Sequence, residues 1–294
     1  MKKPAAKGNF VRRKTDYLCM LVILGVMIYA GEYFFPNRST PEDMVAFRNL
    51  YDVFNLEEKY GAPAKWIAWW LITMISMNSI TWAMFYYFMK ADPANTSMKH
   101  FWDQAKVILI NFAQLPILQI VWDMLEQNGY TKATMGNLDP FSIVRDCLLW
   151  MLCFEWAWYF QHRGMHDNKF LWKLGHSYHH GWNSPEHMIG ITNFAFDHIV
   201  EFWVTMSSSF LGYLLFPSNF FVGKAISLFY MVLAVLAHWE GFEASRYHIN
   251  HHYLVTKNYG SHVPIFDMLF GTYQWEKFVH SESNKAKQIT KRSD

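Results

Sequence analysis

The chain of 294 residues is poor in cysteine and in charged side chains, and neither sign of charge is in large excess. Its three cysteines form no CxxC pair and no disulfide framework, so we predict buried thiols at Cys19, Cys147 and Cys153. Charged residues make up 17% of the chain, whereas soluble domains typically contain about 25%. The net charge of +2 is too small to indicate nucleic-acid binding. This composition argues against a soluble protein.

Aromatic residues are abundant, at 19% of the chain, and they accompany six apolar segments. One of these, 66–89, has no charged residue and is long enough to cross a bilayer core, which needs about 20 residues. The pattern predicts an all-α fold, a multi-pass transmembrane helical bundle, to which the histidine clusters described below add a cytoplasmic, histidine-rich helical cap that holds a dimetal centre. The six segments are 17–31, 66–89, 107–122, 141–160, 202–216 and 225–237.

The amino-terminal arm is basic, with six lysines and arginines in its first 14 residues. An apolar run follows, as it does in a signal peptide, but no small-residue cleavage site comes after it. We therefore predict a retained membrane anchor, and a cleaved signal peptide stays the alternative.

The charges between the apolar segments indicate the orientation. Cytoplasmic loops carry an excess of lysine and arginine, which predicts a cytoplasmic amino terminus. The fourth segment, 141–160, then leaves the membrane on the cytoplasmic side. Segments 202–216 and 225–237 suit a hairpin that dips into the membrane and returns, since both are short. The predicted location is the endoplasmic reticulum membrane in a eukaryote, or the cytoplasmic membrane in a bacterium.

Histidines form three tight clusters in this chain. At offsets of three and four residues, side chains share one face of a helix, so each cluster can direct several nitrogens to one spot. Imidazole is the commonest protein ligand for transition metals. The clusters are separated and embedded in apolar sequence, unlike a polyhistidine tract. They are His162 and His166, then His176, His179 and His180, then His248, His251 and His252, with His238 ten residues before the third.

Eight or nine histidines exceed the needs of one zinc ion, which usually has three protein ligands at a catalytic site. The clusters therefore predict two metal ions. Nitrogen-rich sites suit iron, copper or zinc. No HExxH motif occurs, which argues against a zinc protease.

These boxes resemble those of the sterol desaturase / fatty acid hydroxylase superfamily, which are integral-membrane di-iron oxygenases. The resemblance extends past the third box to Asn258-Tyr259-Gly260 and Phe270-Gly271-Thr272, and Phe266-Asp267 stands where many members have Trp-Asp. His238 falls at the position of an isolated histidine ligand in that family. The resemblance divides the chain into a membrane-anchoring region (1–140) with about three transmembrane helices, a fatty acid hydroxylase-like catalytic domain (141–275) and a polar cytoplasmic tail (276–294).

The resemblance implies an enzyme that hydroxylates or desaturates a lipid: a sterol, a fatty acyl chain, a sphingoid base or an ether lipid. It implies two non-haem iron ions held by the nine histidines, with O₂ as co-substrate. No GxGxxG fingerprint and no CxxCH motif is present. We therefore expect electrons from a separate cytochrome-type or ferredoxin-type protein and its reductase. The alternative function is metal binding or transport without redox catalysis.

Four further residues have predicted roles near the clusters. Members of the family often have another histidine followed by an acid after the second box, and His198 or His187 fits that place. For His262 we favour a role beside the ligands or at the surface. Glu155 lies in an apolar segment, where an ionisable residue is costly unless paired. We expect it to bond a ligand imidazole rather than Arg145.

Overall fold

The structure is a computed structural model that describes residues 9–37, 39–43, 45–46, 54–91, 114–136, 139–182, 199–238 and 246–275. Within these ranges the predicted predominance of helix is confirmed. The helices are α1 (Asn9–Phe34), α2 (Leu56–Tyr60), α3 (Ala62–Ala91), α4 (Leu115–Gln127), α5 (Pro140–Asp167), α6 (Lys169–Leu171), α7 (Ser177–Trp182), α8 (Ile199–Leu215), α9 (Phe220–Ala237), α10 (Arg246–Leu254) and α11 (Ile265–Leu269). A π-helical turn (Trp172–His176) joins α6 to α7, and two short strands, β1 (Ala133–Thr134) and β2 (Ser218–Asn219), pair in parallel.

Helix α5 carries the first histidine cluster. It begins where the side chain of Asp139 accepts a hydrogen bond from the backbone N–H of Ser142, at 3.0 Å, with Pro140 at the first helical position. Its 28 residues extend for about 42 Å. The side chain of Asn168 then accepts the backbone N–H of Phe170 and so starts α6. A single helix therefore runs from the apolar segment into the histidine-rich region.

Two buried clusters of apolar side chains surround α5. The first joins α1, α5, the end of α8 and the segment 259–270, and the second joins α5 to α4, α8 and α9. Helix α8 packs along α5, and four residues separate α8 from α9. The first cluster contains Met20, Met27, Cys153, Trp156, Ala157, Tyr159, Leu215, Phe216, Tyr259, Phe266 and Phe270.

Lys132 fixes the carboxyl-terminal end of α1. Its ammonium group donates to the carbonyl oxygens of Gly31 and Phe35, both at 2.6 Å, and lies 3.2 Å from a carboxylate oxygen of Glu32. The last carbonyls of a helix have no partner within the helix, and the dipole there favours a cation. Because the side chain of Lys132 is fully buried, these bonds are its compensation for leaving water. The loop before β1 thus anchors α1 to the rest of the fold.

The three cysteines differ in exposure. Cys153 is buried, Cys147 is half-buried and Cys19 is exposed, so the prediction of three buried thiols is correct only for Cys153. The reason lies in α1, where Met20 and Met27 form the buried stripe and Cys19 projects beside it.

By length and composition, one helix among the described residues is long and apolar enough to cross a membrane: Lys14–Phe34, within α1. A shorter apolar helix covers Phe220–Ala234. Residues 107–113 of the third apolar segment lie outside the described residues, as does the tail from 276 onward. The multi-pass bundle and its cytoplasmic cap stay predictions.

At Gly31, α1 lies directly against the backbone of Leu215 at the end of α8. A Cβ atom at position 31 would overlap the carbonyl oxygen of Leu215, which is backbone and cannot rotate away. We expect Gly31→Ala to destabilise the protein by about 1–3 kcal/mol, the usual cost of overpacking. Thermal unfolding in detergent measures this. Gly25→Ala on the same helix, where a Cβ meets nothing within 4 Å, is the control and should keep the midpoint or raise it, since alanine favours a helix over glycine. Equal midpoints for the two variants would contradict the packing.

Candidate metal centre

The three histidine clusters lie on separate elements that meet at one place. The first is on the last turns of α5, the third is on α10, and His238 directly follows α9. The second cluster departs from the predicted single α-helix. His176 ends the π-helical turn, whereas His179 and His180 lie on α7. A π-helical turn inserts extra backbone into a helix and is frequent at functional sites.

The first group of ring nitrogens contains five histidines whose ligand atoms all lie within 4.8 Å of one another. Nε2 of His162 is 3.0 Å from Nε2 of His176, and Nε2 of His180 is 3.1 Å from that of His251. The group consists of His162, His166, His176, His180 and His251.

The second group contains four buried histidines with the same closeness. Nε2 of His238 is 3.1 Å from those of His248 and His252, and 3.3 Å from that of His179. The group consists of His179, His238, His248 and His252. All nine histidines that the sequence singles out are therefore brought together, but in two groups that cut across the three clusters.

The spacing of each cluster explains this division. Histidines four residues apart on a helix face the same way, and each such pair serves one group: His162 with His166, His176 with His180, and His248 with His252. Adjacent residues point about 100° apart. His179 therefore turns away from His180 into the second group, and His251 turns away from His252 into the first. The expectation that each cluster points at one spot is corrected in this respect.

The protonation of the rings makes both groups suited to a cation. A neutral imidazole carries one ring proton. Nδ1 of His162 donates its proton to the carbonyl of Tyr259 at 2.7 Å, and Nδ1 of His251 donates to that of Lys257 at 2.8 Å. In the second group, Nδ1 of His238 donates to the carbonyl of Ala234 at 2.7 Å. The Nε2 atoms of these three rings therefore present lone pairs to the group centres, and a bound cation would satisfy them.

Burial keeps the rings neutral. Removal from water lowers the pKa of His162 and His238 to about 4. For the other histidines of both groups, burial and then mostly the neighbouring imidazoles lower the pKa well below 6.5. Metals bind neutral imidazole, so the protein offers nine ready donors at neutral pH.

The same shifts predict how the metal-free protein responds to acid. The folded-state pKa is below the unfolded value of about 6.5. The unfolded chain therefore binds protons more readily than the folded one. The free energy of unfolding is highest above pH 6.5 and falls as the pH falls towards 4, by up to about 1.4 kcal/mol per pH unit for each histidine. Denaturant unfolding of chelator-treated protein at pH 7.5 and pH 5.5 checks this. Equal free energies of unfolding would contradict the buried, neutral cluster.

His262 lies outside both groups. Its Nε2 is 3.3 Å from the carbonyl oxygen of Tyr230 on α9, and burial lowers its pKa to about 4. This agrees with the prediction that it is not a ligand, although it is not a surface residue. His187 and His198 lie outside the described residues.

Glu155 does not bond a ligand imidazole in the structure, and this prediction is wrong. Its carboxylate accepts the backbone N–H groups of Ser261, His262 and Val263, at 3.0–3.1 Å. Carboxylates accept such charge-assisted bonds readily, and a backbone turn leaves three N–H groups that need acceptors. Glu155 thus fixes the segment after the third cluster against α5. Arg145 pairs with its neighbour Asp146 instead.

Sequence reasoning assigned no role to Asn258, Tyr259 or Asp267 beyond the family pattern. In the structure all three are buried, and Tyr259 supplies the carbonyl that orients His162. The carboxylate of Asp267 accepts the backbone N–H groups of Tyr259 and Gly260, eight and seven residues earlier. No periodicity in the sequence marks these contacts.

Residues 147–272 match the family model named fatty acid hydroxylase. The chain is 24% identical over 247 residues to a Delta(7)-sterol-C5(6)-desaturase of Nicotiana tabacum, covering 76% of this chain and 90% of the relative. It is 23% identical over 165 residues to a putative Delta(7)-sterol-C5(6)-desaturase 2 of Arabidopsis thaliana, covering 53% of this chain and 58% of the relative. No solved structure matches the chain. The matched region contains the whole of both histidine groups, and it supports the resemblance to the sterol desaturase / fatty acid hydroxylase superfamily that the histidine boxes predict.

Proposed function

We propose that this protein is a membrane-bound, O₂-dependent oxidoreductase that uses two iron ions to hydroxylate or desaturate a lipid. The observation that carries the proposal is the pair of adjacent imidazole groups, which contain five and four histidines. In three of these rings, those of His162, His238 and His251, the Nδ1 hydrogen bond leaves the Nε2 lone pair free for a metal ion. The family match supports lipid oxidation as the reaction class.

The donor set fits iron. Among the described residues, neither group contains a thiolate or a carboxylate, and imidazole suits zinc, copper, iron and nickel. Zinc has no redox chemistry, so an oxidoreductase needs one of the others, and the family resemblance favours iron. When bound, two such ions supply O₂ activation and removal of hydrogen from an unactivated C–H bond.

The protein's own residues would hold these ions and limit the access of water. Seven of the nine rings are buried, and only His166 and His180 are partly exposed. The half-buried indole of Trp172 covers those two, with ring centroids 4.9 Å and 5.2 Å away. A site shielded in this way protects reactive species from side reactions with water.

Both relatives are named as sterol C5(6)-desaturases, and this favours a sterol as the substrate and desaturation as the outcome. Fatty acyl, sphingoid and ether lipids are the other candidates. In the same proposal, a separate cytochrome-type or ferredoxin-type protein with its reductase supplies the electrons. An acidic donor would suit the cytoplasmic lysines, among which Lys169 and Lys173 are exposed beside the π-helical turn.

The proposed topology is a multi-pass one, with the amino terminus and both histidine groups on the cytoplasmic side. It is supported by the basic arm before α1 and by the apolar character of α1, α8 and α9. The location is the endoplasmic reticulum in a eukaryote or the cytoplasmic membrane in a bacterium.

The deciding experiment combines metal content with lipid analysis. Protein purified in nanodiscs should contain two irons per chain and consume O₂ when a reductant and a sterol-containing lipid extract are added. Cells that express it should accumulate an oxidised lipid that cells expressing a His251→Ala variant lack. Tightly bound zinc, with no O₂ consumption under any reductant, would instead support metal handling without redox catalysis.

A further inference from the structure

The first histidine group is oriented by one short backbone segment, Lys257–Gly260, which we name the carbonyl loop. Two of its carbonyl oxygens, those of Lys257 and Tyr259, accept the Nδ1 protons of His251 and His162. These two histidines come from different helices, α10 and α5. One stretch of backbone thus sets the tautomer of two rings of the same group.

Asn258, between the two carbonyls, holds the loop in an unusual conformation. Its φ of 57° lies in the left-handed region, which asparagine tolerates better than most residues. Its side-chain amide donates to the carbonyls of Tyr247 and Gln274, each at 2.9 Å, and its side-chain oxygen accepts the backbone N–H of Gln274 at 2.7 Å. The backbone N–H of Asn258 donates to the carbonyl of Thr272 at 2.9 Å.

Asp267 holds the other end of the loop. Its fully buried carboxylate accepts the backbone N–H groups of Tyr259, at 2.9 Å, and Gly260, at 2.6 Å. It also accepts the hydroxyls of Thr272, at 2.6 Å, and Tyr247. Tyr259 is therefore fixed on both sides, since its N–H bonds Asp267 and its carbonyl bonds His162.

The second group is built differently. His238 donates its Nδ1 proton to Ala234, four residues earlier on its own chain. Nδ1 of His252 has no hydrogen-bond partner among the described residues. The two hydrogen bonds that the carbonyl loop makes to ring nitrogens, to His162 and His251, both belong to the first group.

We infer that Asn258 and Asp267 are positioning residues for the first metal site: through the carbonyl loop they fix the tautomers of His162 and His251, and with them the metal affinity of the first group but not of the second. This inference rests on the proposed function only in that both groups bind metal. It does not depend on the metal being iron or on the substrate being a lipid. Removing a partner that orients a ligand typically lowers metal affinity by about 10–100-fold.

The test is a titration of metal-free protein with Co²⁺ alone, followed by competition with a chelator of known affinity. Wild-type protein should bind two ions. Asn258→Ala should lower the affinity of one ion by about 10–100-fold and leave the other within about twofold. Asp267→Asn should act in the same direction, since an amide cannot accept four hydrogen bonds. The absorption spectra of His251→Ala and His252→Ala proteins identify which group has lost its ion.

Asn219→Ala is the matched control for loss of stability. Asn219 is also a buried asparagine, and its side chain bonds Gly136, Phe221 and Val222 far from the histidines. The control should lower the unfolding temperature and keep both cobalt affinities. Three outcomes would overturn the inference: wild-type protein that binds fewer than two ions, equal weakening of both ions in Asn258→Ala, or unchanged affinities in both loop variants. A lack of lipid oxidation in iron-loaded protein that holds two ions would count against the proposed function alone.

Discussion

Replacing His251 with alanine is expected to lower lipid oxidation by more than about 100-fold, because loss of a partner behind a ligand already costs 10–100-fold and a ligand itself should cost more. His251 lies in the first group, where its Nε2 is 3.1 Å from those of both His166 and His180. Iron should fall from two ions per chain to about one. His252→Ala, which removes the adjacent residue from the second group, should have the same effect on turnover while emptying the other site.

His262→Ala supplies the control for this pair. His262 is a half-buried imidazole whose pKa burial also lowers, but it belongs to neither group. The His262→Ala protein should keep two irons and at least half of the wild-type rate of lipid oxidation. Metal analysis of purified protein and gas chromatography of the extracted lipids measure both quantities. Full activity in either His251→Ala or His252→Ala would contradict the two-ion site.

The second large effect, on the free energy of unfolding, is expected from Arg163. This residue lies next to His162 on α5 and connects α5 to α1. Its guanidinium donates to a carboxylate oxygen of Asp16 at 2.6 Å and lies 3.4 Å from one of Asp167, which also accepts the hydroxyl of Tyr17. The arginine side chain is 6% exposed and that of Asp16 is 15% exposed. Loss of one partner of such a buried pair leaves an uncompensated charge and costs about 3–5 kcal/mol. We expect Arg163→Met to lower the free energy of unfolding by about 3 kcal/mol.

A double-mutant cycle tests this tie. Asp16→Asn alone should destabilise less, since the amide still accepts a hydrogen bond from Arg163. Asp16→Asn combined with Arg163→Met should be less harmful than the sum of the two single changes, because neither member of the Asp16–Arg163 pair is then a charge without its partner. Denaturant unfolding in nanodiscs gives the four free energies. Simple additivity would mean that the two residues do not interact.

The ligands could be predicted from the sequence because helical spacing alone brings His162 near His166 and His248 near His252. The division into two groups could not be predicted by inspecting each cluster. It depends on where α7 and α10 lie relative to each other, and on the π-helical turn that sets the rotation of His176.

The supporting contacts escaped prediction for a related reason. Arg163 is 147 positions from Asp16, and Glu155 is 106 positions from Ser261. A carboxylate in an apolar segment, such as that of Glu155, predicts that a partner exists but does not identify it. The predicted partner, a ligand imidazole, is wrong. Nothing in the sequence indicates that Lys132 is buried, since a lysine in a loop is usually solvated.

Helix α1 is fastened at two levels, by Asp16 near its beginning and by the bonds of Lys132 to its last turn. These points are about 22 Å apart along the helix axis, somewhat less than the hydrocarbon thickness of an average bilayer, about 30 Å. A free helix meets a thicker or thinner bilayer by tilting, whereas α1 cannot tilt without pulling on Arg163, the residue next to His162. In the proposed topology, acyl-chain length in the surrounding lipid should therefore affect the metal affinity of the histidine groups.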